Sequence, residues 1–203
     1  LDHTAPKRIL VIGDGMTDVY VHGRTEACQE DCTKFIEQTR VVLPGGATNA
    51  ARSLRYWETM VRWVTGADFG SPVKTRYIDG DKCVFRHDDD RCTFDPEVVR
   101  QEAVSIMNNW HPDAILLSDY DKGLLTTDFI RKVVGYCAGR CIPCVADAKR
   151  EPSVYKGCIV KSNQEWMTRY WRTVRHSAEF SNWMVVTIGS EYPSIWNDGW
   201  RYT

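Results

Sequence analysis

Strand-like and helix-like segments alternate through most of this 203-residue chain, which predicts an α/β fold with a mostly parallel sheet covered by helices on both faces. Three observations carry that expectation. Short apolar runs such as Arg8-Ile-Leu-Val-Ile12 and 114–117 end in glycine or polar residues, as strands buried on both sides do. Helix starts at Asp95-Pro96-Glu97 and Thr126-Thr127 fall between such runs. Asp79-Gly80 separates two strand-like stretches as a hairpin turn would, setting a separate small sheet apart.

Taken in order, 8–12 is the first strand, and 19–22 and 35–43 read as further strands, the latter enriched in β-branched residues. Pro44-Gly45-Gly46 then opens a helix over 48–57, followed by a strand at 60–64. Residues 73–78 and 82–86 form the hairpin. Helices over 96–109, 127–138 and 163–176 alternate with strands at 114–117, 143–146, 158–160 and 183–188. A closing hairpin joins 194–196 to 200–202 through Asn197-Asp198-Gly199. The whole chain reads as a single domain, 1–203, in which 19–43 and 73–87 supply a small lid sheet.

A net charge of −1 provides no basic field for nucleic acid or anionic membrane. No apolar run is long enough to span a bilayer and no signal-peptide core opens the sequence, so a cytoplasmic protein with no membrane partner is expected. The eight cysteines form no paired metal-ligand spacing, and reduced thiols are expected, with Cys137 and Cys144 in the core. Trp57, Trp63, Trp110 and Trp183 lie in apolar-periodic segments and read as core.

Polar clusters follow five of the predicted strands: Gly13-Asp14 with Asp18, Ser118-Asp119, Asp147-Ala-Lys149, Lys161-Ser-Asn163 and Thr187-Ile-Gly189. Ligands collect at that end of open α/β sheets, so the clusters predict a cleft. Gly13-x-Gly15 lacks the third glycine of a dinucleotide fingerprint, because position 18 is aspartate. There is no Gly-Lys-Ser/Thr phosphate loop and no Gly-x-Ser-x-Gly hydrolase elbow. Gly45-Gly46-Ala-Thr-Asn49 reads either as a turn that starts a helix or as a close backbone approach to a ligand, with the Asn49 amide one turn in.

The motifs taken together resemble the ribokinase-like (PfkB) carbohydrate kinases. The resemblance rests on Val11-Ile-Gly-Asp-Gly-Met-Thr-Asp18, Leu43-Pro-Gly-Gly-Ala-Thr-Asn49, Val73-Lys-Thr-Arg76, Arg86-His-Asp88, Ala114-Ile-Leu-Leu-Ser-Asp-Tyr-Asp-Lys-Gly123, Val145-Ala-Asp-Ala-Lys149 and Val186-Thr-Ile-Gly-Ser-Glu191. Lys-Thr-Arg and Ser-Asp-Tyr-x-Lys-Gly make it most similar to the heptose-7-phosphate kinase branch, found in ADP-heptose synthase. That resemblance implies an ATP-dependent kinase acting at the anomeric hydroxyl of a heptose phosphate, with ATP and Mg2+ as cofactors. It also implies a homodimer through the lid sheet.

Carried over residue by residue, it implies that Asp14, Asp18, Gly45, Gly46 and Asn49 hold the sugar. Lys74, Arg76 and Arg86 would meet the substrate's phosphate, with a solvated strand face as the alternative. Lys122 and Asp119 would border the phosphoryl-transfer region. Lys149, Asn163, Glu165, Thr187 and Gly189 would approach the nucleotide, Glu165 acting on magnesium through water; helix and strand capping is the alternative for Asn163 and Thr187.

Three features depart from the family pattern. The sequence given stops at Thr203, before a Gly-Ala-Gly-Asp segment that supplies the family's catalytic base and anion hole. Residues 66–70 run almost directly into Pro72, where the family places a helix and a strand. The glutamate of Asn-x-x-Glu comes one residue early, at Glu165, which rotates it about 100° on a helix. A non-catalytic sugar- or nucleotide-binding protein of the same fold is the alternative expectation.

Overall fold

A computed structural model describes residues 5–28, 32–66, 72–176, 183–188, 194–197 and 200–202. The chain opens with β1 (Arg8–Gly13) and runs into two long strands, β2 (Gly15–Ala27) and β3 (Thr33–Gly45). Next come α1 (Gly46–Leu54), a 3-10 turn at Arg55–Trp57 and β4 (Met60–Val64). A hairpin of β5 (Val73–Asp79) and β6 (Lys82–Asp89) follows. Alternation then sets in: α2 (Pro96–Trp110), β7 (Ala114–Ser118), α3 (Thr127–Arg140), β8 (Cys144–Asp147) and β9 (Ile159–Asn163). The last elements are α4 (Gln164–His176), β10 (Met184–Thr187), β11 (Ser194–Asn197) and β12 (Trp200–Tyr202).

The large sheet has the order β12-β11-β10-β9-β8-β7-β1-β4, parallel from β10 to β4 and antiparallel at β11 and β12. The small sheet has the order β3-β2-β5-β6, with β2 and β5 parallel. This is the mostly parallel α/β architecture that the alternating pattern predicts. Leu10, Ile12, Ile115 and Leu117 pack one face of the large sheet against Val99, Ala103 and Met107 of α2 and Ile130 and Val133 of α3. Val11 packs the other face against Ala47 and Ala51 of α1. Each fully buried side chain of this kind contributes about 1.5–3 kcal/mol. Asp95 and Thr126 cap their helices as read, accepting from the backbone N–H of Glu97 (2.9 Å) and Phe129 (3.2 Å).

Four expectations are corrected. β2 and β3 are each 13 residues long, longer than the apolar segments within them, because continuous cross-strand pairing carries Asp18, Thr25 and Glu26 into the ladder. The helix after Gly46 ends at Leu54, where the chain tightens to a 3-10 turn, and Glu58 follows in a left-handed conformation. Trp57 is 76 % exposed, Trp63 and Trp183 are partly exposed, and only Trp110 of the four packs against the core. Trp63 sits on β4, the edge of the large sheet among the described residues, where periodicity continues although burial does not. Finally, Cys28 and Cys32 form a disulfide: the facing ends of β2 and β3 bring their Cα atoms to 5.9 Å, within bridging range. Cys137 and Cys144 are buried, as expected.

Candidate functional site

Parallel pairing lines up the carboxyl ends of the strands: Gly13 lies opposite Ser118, Ser118 opposite Asp147, and Asp147 opposite Lys161. The polar clusters therefore share one edge of the sheet, and the small sheet rises from it, since β2 begins two residues after β1 ends. What each cluster does there differs from residue to residue.

Asp14 is engaged by the protein's own backbone. Its side chain is buried, and its carboxylate accepts the backbone N–H groups of Tyr120 (2.9 Å), Lys122 (3.2 Å) and Leu124 (3.2 Å). Burial pushes the carboxyl up from its usual value, against the three donors that pull it down. The residue fastens the loop after β7 to the end of β1. Gly46 belongs to the same fastening: Ala47 N donates to Asp14 O at 3.0 Å, and Gly46 turns at φ +56°, where a Cβ would lie 2.4 Å from that oxygen.

Asp119 is fully buried and equally occupied. It accepts from Arg150 Nε (3.0 Å) and Nη2 (2.7 Å), from the Tyr155 hydroxyl (2.8 Å) and from Asp121 N (2.8 Å). The same Tyr155 oxygen accepts the N–H groups of Lys149 (3.0 Å) and Arg150 (3.1 Å), and Trp166 Nε1 donates to Arg150 O at 2.7 Å. Burial, followed by the charge of Asp119, drives the Tyr155 hydroxyl well above its ordinary pKa, so it stays protonated and keeps donating. Asp119 thus acts on the loop carrying Lys149.

Asp18 is different. It projects from β2 beneath the small sheet, with its Oδ1 2.7 Å from Arg76 Nη1 on the adjacent strand. A Cβ on Gly45 would stand 2.2 Å from its Oδ2, so the glycine leaves the space this carboxylate occupies. Asn49, on the solvent side of α1, lines a cleft with Asp18. Lys74, opposite Asp18 in the β2–β5 register, reaches 5.3 Å from the centre of the Tyr120 ring, and Lys149 reaches 5.4 Å from the same ring. Neither lysine has a carboxylate within ion-pair distance among the described residues. Burial lowers the pKa of Lys74, and nearby Lys122 adds to the fall while Asp88 and Asp18 oppose it.

The other sequence-derived candidates are occupied elsewhere. Arg76 is committed to Asp18, and Arg86 pairs with Asp88 at 2.9 Å on the exposed strand β6. Lys122 Nζ lies 2.6 Å from Asp90. Asn163 Oδ1 caps α4 by accepting from Trp166 N (2.9 Å), and the Thr187 hydroxyl donates to Ser162 O (3.2 Å). For both, capping is the geometry present. Glu165 points outward to Arg169 (3.3 Å), consistent with its early position in the motif. Gly189 lies outside the described residues, as does the shortened stretch at 67–71. Among the described residues no three His, Cys, Asp or Glu side chains cluster as a metal site.

Tyr120, Arg150 and Tyr155 carry no role in the sequence reading. Arg150 follows Lys149 directly at a strand end, which is a usable signal. Tyr155 gives none, because its carboxylate partner, Asp119, lies 36 positions away.

No family model matches the sequence. Bifunctional protein HldE of Hyphomonas neptunium is 29 % identical in an alignment 190 positions long that covers 78 % of this chain and 39 % of that protein. The chain spans about two fifths of the length of the curated relatives it matches. A carbohydrate kinase from Agrobacterium tumefaciens superposes with a TM-score of 0.62 at 18 % identity, covering 96 % of this chain and 74 % of that one. Arabidopsis thaliana ribokinase complexed with ribose and ATP gives 0.64 at 13 % identity, covering 98 % and 78 %. These neighbours define the class as the ribokinase-like carbohydrate kinase fold. Within that class the chain is related to the bifunctional HldE proteins. No helix among the described residues is long and apolar enough to cross a membrane.

Proposed function

We propose that the chain binds a sugar phosphate beneath the small sheet and serves an ATP-dependent kinase reaction on it, with a heptose 7-phosphate as acceptor. The observation that carries this reading is the convergence of Lys74 and Lys149 on the ring of Tyr120, with Lys74 opposite Asp18 in the β2–β5 register and only the Oδ1 of Asp18 held by Arg76. Asp18 and the Asn49 amide orient sugar hydroxyls, and Gly45 leaves the space that the Asp18 carboxylate fills. The lysines neutralise the phosphoryl group in transit, which is the larger part of what such a reaction needs from a protein. ATP supplies that group when bound, and Lys149, held by the Asp119–Tyr155–Arg150 network, meets its phosphates.

No residue is assigned as the base: Asp14 is held by backbone N–H groups and Asp119 by Arg150 and Tyr155. That engagement supports a second reading, binding without turnover. Incubation with ATP, magnesium and D-glycero-D-manno-heptose 7-phosphate, beside calorimetry with the sugar alone, separates the two. Anomeric phosphorylation is expected; binding without product supports the second reading, and no sugar binding overturns both. We further propose a homodimer through the small sheet, which exposes Val42 and Phe85. Light scattering giving a concentration-independent monomer mass overturns it.

A further inference from the structure

A second cation faces the Asp18 cleft from the opposite side. The cleft is lined by Asp18, Tyr20, Pro44, Asn49, Arg52 and Tyr56 among others. Asn49 and Arg52 stand three residues apart on α1, and Tyr56 follows four later in the 3-10 turn, so all three share one side of that segment. Arg52 is exposed and has no carboxylate within ion-pair distance among the described residues, whereas Arg76, Arg86 and Arg150 are each committed to an aspartate.

Strand register fixes where this arginine lies relative to the lysines. Asp18 pairs with Leu43 of β3 on one side and with Lys74 of β5 on the other. Leu43 lines the cleft with Arg52, and Lys74 leans away from it towards Tyr120 and Lys149. The sugar position at Asp18 therefore has positive charge at two ends, a lysine pair on one side and a lone guanidinium on the other. In a phosphoryl transfer the donor's charge occupies the end where the reacting hydroxyl lies. The end at Arg52 is left for an anion that belongs to the acceptor.

We propose that Arg52 recognises the acceptor sugar's own phosphate ester, at the end remote from the reacting hydroxyl, and so selects phosphorylated over free sugar. A guanidinium matches a phosphate bidentately, and its planar fork distinguishes it from an ammonium at such a site. The proposal rests on the kinase reading above and deepens it by naming the acceptor's anchoring residue. It assigns to Arg52 the contact that sequence resemblance gives to Lys74, Arg76 and Arg86.

The test compares the unaltered chain with Arg52→Met and Arg52→Lys, using calorimetry with D-glycero-D-manno-heptose 7-phosphate and with the same heptose lacking the phosphate. One lost charge-assisted contact predicts about 10- to 100-fold weaker binding of the phosphorylated sugar by Arg52→Met. The free heptose should bind unchanged, and Arg52→Lys should recover only part of the loss. Thermal melting should be unaltered, since Arg52 is exposed and unpaired. Retention of the phosphate preference by Arg52→Met overturns the proposal alone, as does equal weakening for both sugars. If the unaltered chain binds neither sugar, the kinase reading fails and this inference fails with it.

Discussion

Asp14 and Asp18 stand four residues apart in one glycine-rich segment, and by residue type they are interchangeable. Asp14 lies at the junction of β1 with the loop after β7, where three backbone N–H groups consume its carboxylate. Asp18 lies under the small sheet, where one arginine takes one oxygen and an absent side chain at position 45 leaves the other clear. Asp119 repeats the pattern of Asp14, saturated by Arg150, Tyr155 and a backbone amide. The junction is thus a fastening that holds loops, and the region beneath the small sheet is where polar atoms remain available. Strand-end polarity marks the neighbourhood of a site, and hydrogen-bond saturation separates its frame from its working face.

The sharpest way to break this comparison is at the fastening. Arg150→Met should leave Asp119 buried without its cation and cost about 3–5 kcal/mol, read from denaturant midpoints. A loss under about 1 kcal/mol would mean that the pair does not hold the junction. Asp14→Asn preserves shape but turns an amide NH2 towards N–H donors. A loss of about 2–3 kcal/mol is expected by the same measurement, with any effect on ligand affinity following from unfolding alone.

The working face should respond in binding rather than stability. Burial lowers the pKa of Lys74, so its positive charge is lost below the ordinary lysine value of 10.5 as pH rises. ATP affinity should accordingly weaken on the alkaline side earlier than for an unshifted lysine, and Lys74→Gln should remove that step while melting as before. An unchanged alkaline profile in Lys74→Gln would take Lys74 out of the donor site. The smallest effect is expected at Ser162, whose buried hydroxyl has no hydrogen-bond partner among the described residues. Ser162→Ala should be neutral or stabilising by up to about 1 kcal/mol in thermal unfolding, whereas a clear loss would reveal a partner.

Much of the framework was legible in the residues, for local reasons. Asp95 and Thr126 cap the helices they were expected to cap, and the apolar runs at β1 and β7 are the buried centre of the large sheet. What escaped depended on distant partners. The length of β2 and β3 comes from their pairing with each other; Trp63 is uncovered because it falls on the edge strand β4, and Trp57 because it ends an exposed 3-10 turn. The role of Asp14 depends on amides more than a hundred positions away, with a separation of 106 to Tyr120. Tyr155 reaches Asp119 over a separation of 36. No spacing rule reports such contacts, so residue type alone does not show what holds Asp14 and Asp119.

The missing side chain at position 45 has one more consequence. Its empty volume is already filled by the Asp18 carboxylate, so the two sites cannot drift apart in descent. A lineage that acquired even alanine at 45 would need a shorter residue at 18 first or simultaneously, and with it a different hydroxyl-binding chemistry. Glycine and aspartate here are sterically coupled, so a change at one constrains the other.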